Sequence, residues 1–153
     1  MKGLLFAIVQ LTWGLPQTVL GAIVYLFTAG CPRFRFHGTI GTVWKQKSSV
    51  SLGLFIFVTK DPRTPRSGSF VQERAATAGA DPRLVVHEYG HCIQSLFLGP
   101  FYLLVIGIPS FTWMMVPALR RLRARHGISY YRFYTESLAN YLGERVTGLP
   151  SLR

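Results

Sequence analysis

Two stretches of the chain, Gly3 to Gly30 and Cys92 to Leu119, contain no Asp, Glu, Lys, Arg or His. Each exceeds the roughly 20 residues that a helix needs to cross the hydrocarbon core of a bilayer. A length of 153 residues allows one compact domain of modest size. Only 15% of the residues are charged, which is low for a soluble domain. A secretory signal peptide has an apolar stretch of about 7–15 residues, so the first run reads as a retained anchor. The expectation is an integral membrane protein, mainly α-helical, with a small β-hairpin. Residues 1–30 form its N-terminal transmembrane helix, and residues 31–153 form a single membrane-associated domain that includes the hydrophobic segment 93–119.

The net charge of +11 raises nucleic acid as a partner. The basic residues, however, flank the apolar runs and form no stripe interleaved with aromatic residues, so nucleic-acid binding is not expected. Cationic segments beside apolar runs fit anionic lipid headgroups and the positive-inside bias, which makes the lipid bilayer the expected partner. The two cysteines, Cys31 and Cys92, form no CxxC pair, so neither a zinc ribbon nor a disulfide framework is indicated. Thr28-Ala29-Gly30-Cys31 looks a little like a lipoprotein cleavage site, but Thr28 stands where such sites usually carry Leu.

Within the first run, Gly14 and Pro16 should kink the helix. Phe34 to Trp44 and Val50 to Thr59 are rich in β-branched and aromatic residues, and Lys45 to Ser49 between them completes a hairpin signal. Asp61 to Gly79, rich in Pro, Arg, Ser and Gly, reads as an exposed loop. Asp81-Pro82 is a favoured N-cap and first helical residue, opening a helix from Pro82 to Leu98 that ends at Gly99-Pro100. The second apolar run carries Pro100, Gly107, Pro109 and Pro117, a heavy load of breakers for one straight span. After the basic cluster Arg120 to Arg125, a last helix is predicted from Tyr131 to Leu142, with Gly143 near its C-cap.

The first of these helices contains His87-Glu88-Tyr89-Gly90-His91. Its histidines are spaced i, i+4 and project from one helix face, so both can reach one zinc ion at about 2.0–2.1 Å. Glu88 lies roughly 100° around the helix and is placed to take a proton from an attacking water instead of joining the ligands. With four His and four Glu in the chain, the pattern is expected by chance about 0.003 times. The plainer reading is a pair of buried or interfacial histidines beside a surface Glu. Ionisable residues on a segment entering lipid are functional by default, which favours the zinc site. A catalytic zinc usually takes a third protein ligand, and the chain has six acids in which to seek it. Asp61, Glu73 and Asp81 lie in or beside the loop, and Glu144 follows the helix-ending glycine. Glu136 alone lies inside the last predicted helix, with Asn140 one turn later on the same face. Asn140 could hydrogen-bond a ligand histidine's second ring nitrogen or its backbone.

His87 to His91 followed by Glu136-Ser137-Leu138-Ala139-Asn140 resembles the gluzincin metallopeptidases, which combine HExxH with ExxxD on a second helix. The resemblance covers these two short segments. It implies His87, His91 and Glu136 as zinc ligands, Glu88 as the general base, and Asn140 supporting a ligand where the family has Asp. The chain also looks like small bacterial membrane proteins with an HEYGH helix and a YTE segment, which implies a bacterial inner (cytoplasmic) membrane.

Topology constrains the site. If Cys92 to Leu119 crossed fully, Glu136 would start on the opposite side from the histidines. Arginines would then have to pass through lipid at roughly 2.5–3.5 kcal/mol each. A re-entrant hairpin with its turn near Gly107-Ile108-Pro109 avoids that cost. Nine Lys or Arg lie between Arg33 and Arg83 and seven from Arg120 onward, so both regions read as cytoplasmic and only Lys2 as outside. One span, one re-entrant element and a site at the cytoplasmic interface follow. The expected function is zinc-dependent hydrolysis of a peptide or protein substrate, with Tyr130, Tyr131, Tyr134 and His126 as possible oxyanion donors. Strand Val50 to Thr59 could pair with an extended substrate. The alternatives are a non-catalytic zinc-stabilised membrane scaffold and a site-2-type intramembrane protease. The latter takes a later Asp ligand from a further membrane helix, which this chain lacks.

Overall fold

The structure, a computed structural model, describes residues 2–60 and 78–152. Most of the loop expected from Asp61 to Gly79, with Asp61 and Glu73, lies outside the described residues. The described chain is mainly helical with one small sheet. Two helices, α1 (Lys2–Thr12) and α2 (Leu15–Phe27), precede strands β1 (Arg33–Phe36), β2 (Thr39–Trp44), β3 (Val50–Leu52) and β4 (Phe55–Thr59). Then come α3 (Pro82–Leu98), a 3-10 turn (Gly99–Phe101), a π-helical turn (Leu103–Gly107), α4 (Ile108–Met115) and α5 (Pro117–His126). A second 3-10 turn (Tyr130–Arg132) leads into α6 (Tyr134–Thr147).

The sheet departs from the single hairpin expected of Phe34–Trp44 with Val50–Thr59. Each half folds on itself: β1 pairs antiparallel with β2, and β3 antiparallel with β4. His37 and Gly38, at φ 46° and 92°, supply the left-handed backbone of a tight turn, and Gly53 at φ 61° does so between β3 and β4. Such short loops close at less entropic cost than the longer connection from Trp44 to Val50. The two hairpins then join through parallel pairing of β2 with β4, giving the order β1-β2-β4-β3. Ile56, Phe57 and Val58 of β4 are fully buried, and β3 stands at the sheet edge.

Helix α3 is the axis of the fold. Asp81 caps it, its Oδ1 accepting from the Arg83 N–H at 2.8 Å, and Pro82 occupies the first turn, as the sequence predicts. From Val85 to Ser95 every residue is buried, so this central stretch of α3 has no solvent face. Tyr89 packs on Phe6 of α1 and Phe36 of β1. His87, Gly90, His91 and Gln94, at i, i+3, i+4 and i+7, form the face turned toward α6.

Both apolar runs are broken. The single N-terminal transmembrane helix does not form: α1 and α2 are bent by 101°. Gly14 lies at the break, and Pro16 stands in the first turn of α2, where its missing N–H costs nothing. Buried glutamines serve the groups around this bend. The Gln10 amide donates to the Cys92 carbonyl at 2.9 Å, and Gln17 donates to Ser95 Oγ at 2.6 Å and to the Gly99 carbonyl at 3.0 Å. Ser95 returns a hydrogen bond to Gln10 Oε1 at 3.0 Å. The second run bends by 120° between Pro82–Phe101 and Leu103–Met115. This break comes earlier than the expected turn at Gly107-Ile108-Pro109. Gly99, at φ 51° and ψ −128°, holds a backbone conformation open to glycine, and a Cβ there would lie 2.2 Å from the Trp13 ring. Pro109 instead occupies the first turn of α4, which accommodates it. Among the described residues no single helix is long and apolar enough to cross a membrane; two bent pairs meet that test only as pairs.

Gln10→Ala should lower the unfolding free energy by about 1–3 kcal/mol, because the Cys92 carbonyl and the Ser95 hydroxyl lose a partner where water does not replace it. Denaturant titration measures this, and a change within about 0.5 kcal/mol would mean that the glutamine lock is immaterial.

Candidate metal centre

The site forms where α3 and α6 cross at backbone distance. A Cβ on Gly90 would lie 1.9 Å from the Ala139 carbonyl oxygen, and one on Gly143 would lie 2.3 Å from that of Val86. Each helix thus offers a glycine to the other's backbone. Helix α6 runs from Tyr134 to Thr147, longer than the expected Tyr131 to Leu142, and its left-handed C-cap is Gly148 at φ 70°. Gly143, expected near the C-cap, is an interior contact residue, and Glu144 lies within the helix. The glycine signal marks helix packing here, not termination.

This crossing brings Glu136 to the histidines. Glu136 Oε2 lies 3.1 Å from His87 Nε2 and 3.5 Å from His91 Nε2. One donor atom from each residue lies within 4.8 Å of the others, and His87, His91 and Glu136 are 3%, 6% and 1% exposed. Each outward-facing atom of the trio is already engaged. His91 Nδ1 sits 2.7 Å from Gln94 Oε1, and the Gln94 amide nitrogen donates to the Thr135 carbonyl at 2.8 Å. That second bond fixes the Gln94 amide so that its oxygen faces the ring, making Nδ1 the protonated nitrogen of His91. His87 Nδ1 likewise lies 2.7 Å from Asn140 Oδ1, which also accepts from Ser151 Oγ at 2.5 Å. Asn140 therefore meets the ring nitrogen, the first of the two roles its position allowed. Glu136 Oε1 accepts from Thr135 Oγ1 at 3.0 Å and from Ser110 Oγ.

With each Nδ1 engaged elsewhere, both Nε2 atoms and one carboxylate oxygen face one another. A cation among them satisfies all three, either a proton on an imidazole or a metal ion in its place. Tetrahedral ligands on about 2.0–2.1 Å bonds stand about 3.3–3.4 Å apart, and the observed 3.1 and 3.5 Å bracket that spacing. The residues fit a metal ion. Burial alone would raise the Glu136 carboxyl, but the contacts with His87 and His91, helped by Ser110, outweigh it and hold the group well below the usual carboxylate range. Glu136 is thus an anion ready to ligate.

Glu88 stands apart from the trio, as its position on the helix predicts. Its Oε2 accepts from Ser51 Oγ of β3 at 2.5 Å, and it lines a cavity of about 910 Å³ together with His87, His91 and Glu136. Edge strand β3 contributes Val50, Ser51 and Leu52 to the same cavity. Of the four oxyanion candidates, Tyr130 and Tyr131 line it, and Tyr131 meets His87 edge-on at 5.3 Å between ring centroids. Burial first, then Glu88 and Glu136, push the Tyr131 phenol up; burial and then Glu136 do the same for Tyr130. Both stay neutral O–H donors near pH 7. Tyr134 is turned away and donates to the Val105 carbonyl at 2.7 Å, and His126 is exposed at the end of α5, outside the cavity lining.

The sequence reading missed Ser51, Gln94, Ser110, Ser151 and Gly90. Gln94 was within reach, since it follows His91 by three residues on the same face. Gly90, a glycine in a helix interior, also carried a signal. The serines come from β3, the start of α4 and the C-terminal segment, and only tertiary structure brings them in. No protein-family model, curated protein or solved structure matches the chain.

The purified protein should hold one divalent ion per chain, and His87→Ala and Glu136→Ala should each cut that content at least tenfold. Gly90→Ala leaves all three donors in place but forces the helices apart, so it too should weaken metal binding at least tenfold. Elemental analysis and competition with a chromogenic chelator measure both effects; undiminished binding in Gly90→Ala would show that the crossing does not set the site.

Proposed function

We propose that the chain is a zinc-dependent metallopeptidase held in or on a membrane, with His87, His91 and Glu136 as zinc ligands and Glu88 as the general base. The observation that carries this reading is the separation of roles: three buried donors converge on one point, while a fourth ionisable group, Glu88, shares their cavity without joining them. Two imidazoles with one carboxylate suit zinc. When bound, zinc supplies Lewis acidity, lowering the pKa of a water and polarising a carbonyl.

The chain's own groups supply the rest. Glu88 takes a proton from the attacking water as the new C–O bond forms, then passes it to the amide nitrogen as the C–N bond breaks. The Ser51 hydroxyl, donating to Glu88 Oε2, holds that carboxylate in the cavity wall. Tyr130 and Tyr131, as neutral phenols, offer O–H donors to the substrate carbonyl oxygen as negative charge develops there. Edge strand β3 lies along the cavity and can align an extended peptide by main-chain hydrogen bonds.

Membrane attachment is supported by the exposed apolar side chains of α1 and α2. Leu26 and Phe27 are 73% and 87% exposed, and Leu4, Leu5, Leu11 and Val19 continue the surface. The bent helices favour a protein seated in part of the bilayer thickness over one with a straight N-terminal span. A bacterial inner membrane suits the resemblance to small bacterial membrane proteins. The gluzincin-like reading fits the third group, Glu136 on α6, better than a site-2-type protease, whose later ligand is an Asp. The competing reading is a zinc-stabilised scaffold without turnover, favoured by the deep burial of all three ligands.

Glu88→Gln separates the two. A peptidase with this substitution should keep its zinc and lose at least about 10²-fold in kcat on a fluorogenic peptide, the size of a general-base contribution. Turnover unaffected by Glu88→Gln in the zinc-loaded protein would remove Glu88 from the mechanism, and no turnover in the wild type across a peptide library would favour the scaffold.

A further inference from the structure

The cavity lining has two parts of opposite character. Part of its lining is Lys47, Ser48 and Ser49, between β2 and β3. Another part is Ile108, Phe111 and Met114 of α4. Ile108 and Phe111 are also 57% and 60% exposed, so this apolar part of the lining is open to the surroundings. Leu104, four residues before Ile108, and Met115, four after Phe111, fall on the same helix face and are 63% and 51% exposed, and neither lines the cavity. Directly after this surface comes α5, which has no acidic residue and bears exposed Arg120, Arg121 and Arg125. An apolar surface ending in an arginine cluster is complementary to an anionic bilayer, with hydrocarbon beneath α4 and phosphate headgroups at α5.

Resting on the peptidase reading, we infer that the substrate is a polypeptide anchored in the bilayer by an apolar segment and cut in the stretch where it leaves the lipid. A soluble peptide would have no use for a lip that is apolar on the outside as well as the inside. A segment emerging from hydrocarbon would meet Ile108 and Phe111 with its apolar residues, pass Glu88 and the three ligands, and lie with its polar continuation against Lys47 to Ser49. Hydrolysis consumes one water: its oxygen bonds to the scissile carbonyl carbon, the C–N bond breaks, and the leaving nitrogen receives the proton. One product keeps the anchor and the other departs into water.

The test uses the full chain, zinc-loaded, in vesicles of phosphatidylethanolamine and phosphatidylglycerol, with two probes that share one fluorogenic cleavable segment. One probe carries a Leu/Ala anchor of about 20 residues, and the other carries none. The anchored probe should be cut at least tenfold faster. Leu104→Asp combined with Met115→Asp changes the outer apolar surface without touching the cavity lining. It should bring the two rates within about twofold while leaving zinc content and turnover of the free segment unchanged. Equal rates in the wild type, or a preference that survives the double substitution, would overturn the substrate class and leave the peptidase reading standing. Hydrolysis of neither probe would overturn both.

Discussion

The backbone contact between α3 and α6 is the constraint on which the rest of the site depends. Glu136 and the histidines lie 45 or more positions apart in sequence, and a carboxylate reaches two Nε2 atoms at 3.1 and 3.5 Å only if the helix axes come unusually close. Gly90 and Gly143 make that approach possible by removing the side chains that would otherwise hold the helices apart. Gly90 therefore does structural work inside the very motif that carries the chemistry. Any side chain there would act on the site through distance, without altering a single donor.

A second layer of order comes from polar groups placed inside an apolar exterior. Gln10, Gln17, Gln94 and Ser95 are buried, and they tie the bent N-terminal pair and α6 to the central helix. In low-dielectric surroundings such bonds are strong when complete and costly when broken, so they fix one arrangement of the helices. Gln94 serves both layers, orienting the His91 ring while binding the Thr135 carbonyl of α6. The outer surface has the opposite composition, with leucines, phenylalanines and valines exposed along α1, α2 and α4. A polar seam inside and an apolar skin outside are what the proposed membrane attachment would call for.

Much of this was legible in the sequence because it depends on local spacing. The i, i+4 histidines, the Asp81-Pro82 start of α3 and the i, i+4 pair Glu136 and Asn140 are all properties of single helices. What failed depended on non-local competition. The β-rich region offered one long hairpin or two short ones, and periodicity alone could not show that His37-Gly38 and Gly53 would each close a turn. The kink at Gly14-Pro16 and the helix end at Gly99 were legible, but not the size of the bends, 101° and 120°, which keep either apolar run from forming one long helix. Gly143, expected as a cap, is likewise a contact. Ser51, Ser110 and Ser151 had no signal at all, since a serine becomes a partner to Glu88, Glu136 or Asn140 only through tertiary placement.

The central claim is that two imidazoles and one distant carboxylate grip a single zinc ion. Zinc-edge X-ray absorption on the purified, metal-loaded protein tests it most directly. The account predicts a first shell of nitrogen and oxygen at about 2.0–2.1 Å with the multiple-scattering signature of two imidazoles, reduced to one in His87→Ala. A sulfur shell near 2.3 Å, which would bring in a cysteine such as Cys92 beside His91, or a signal without imidazole scattering, would contradict it.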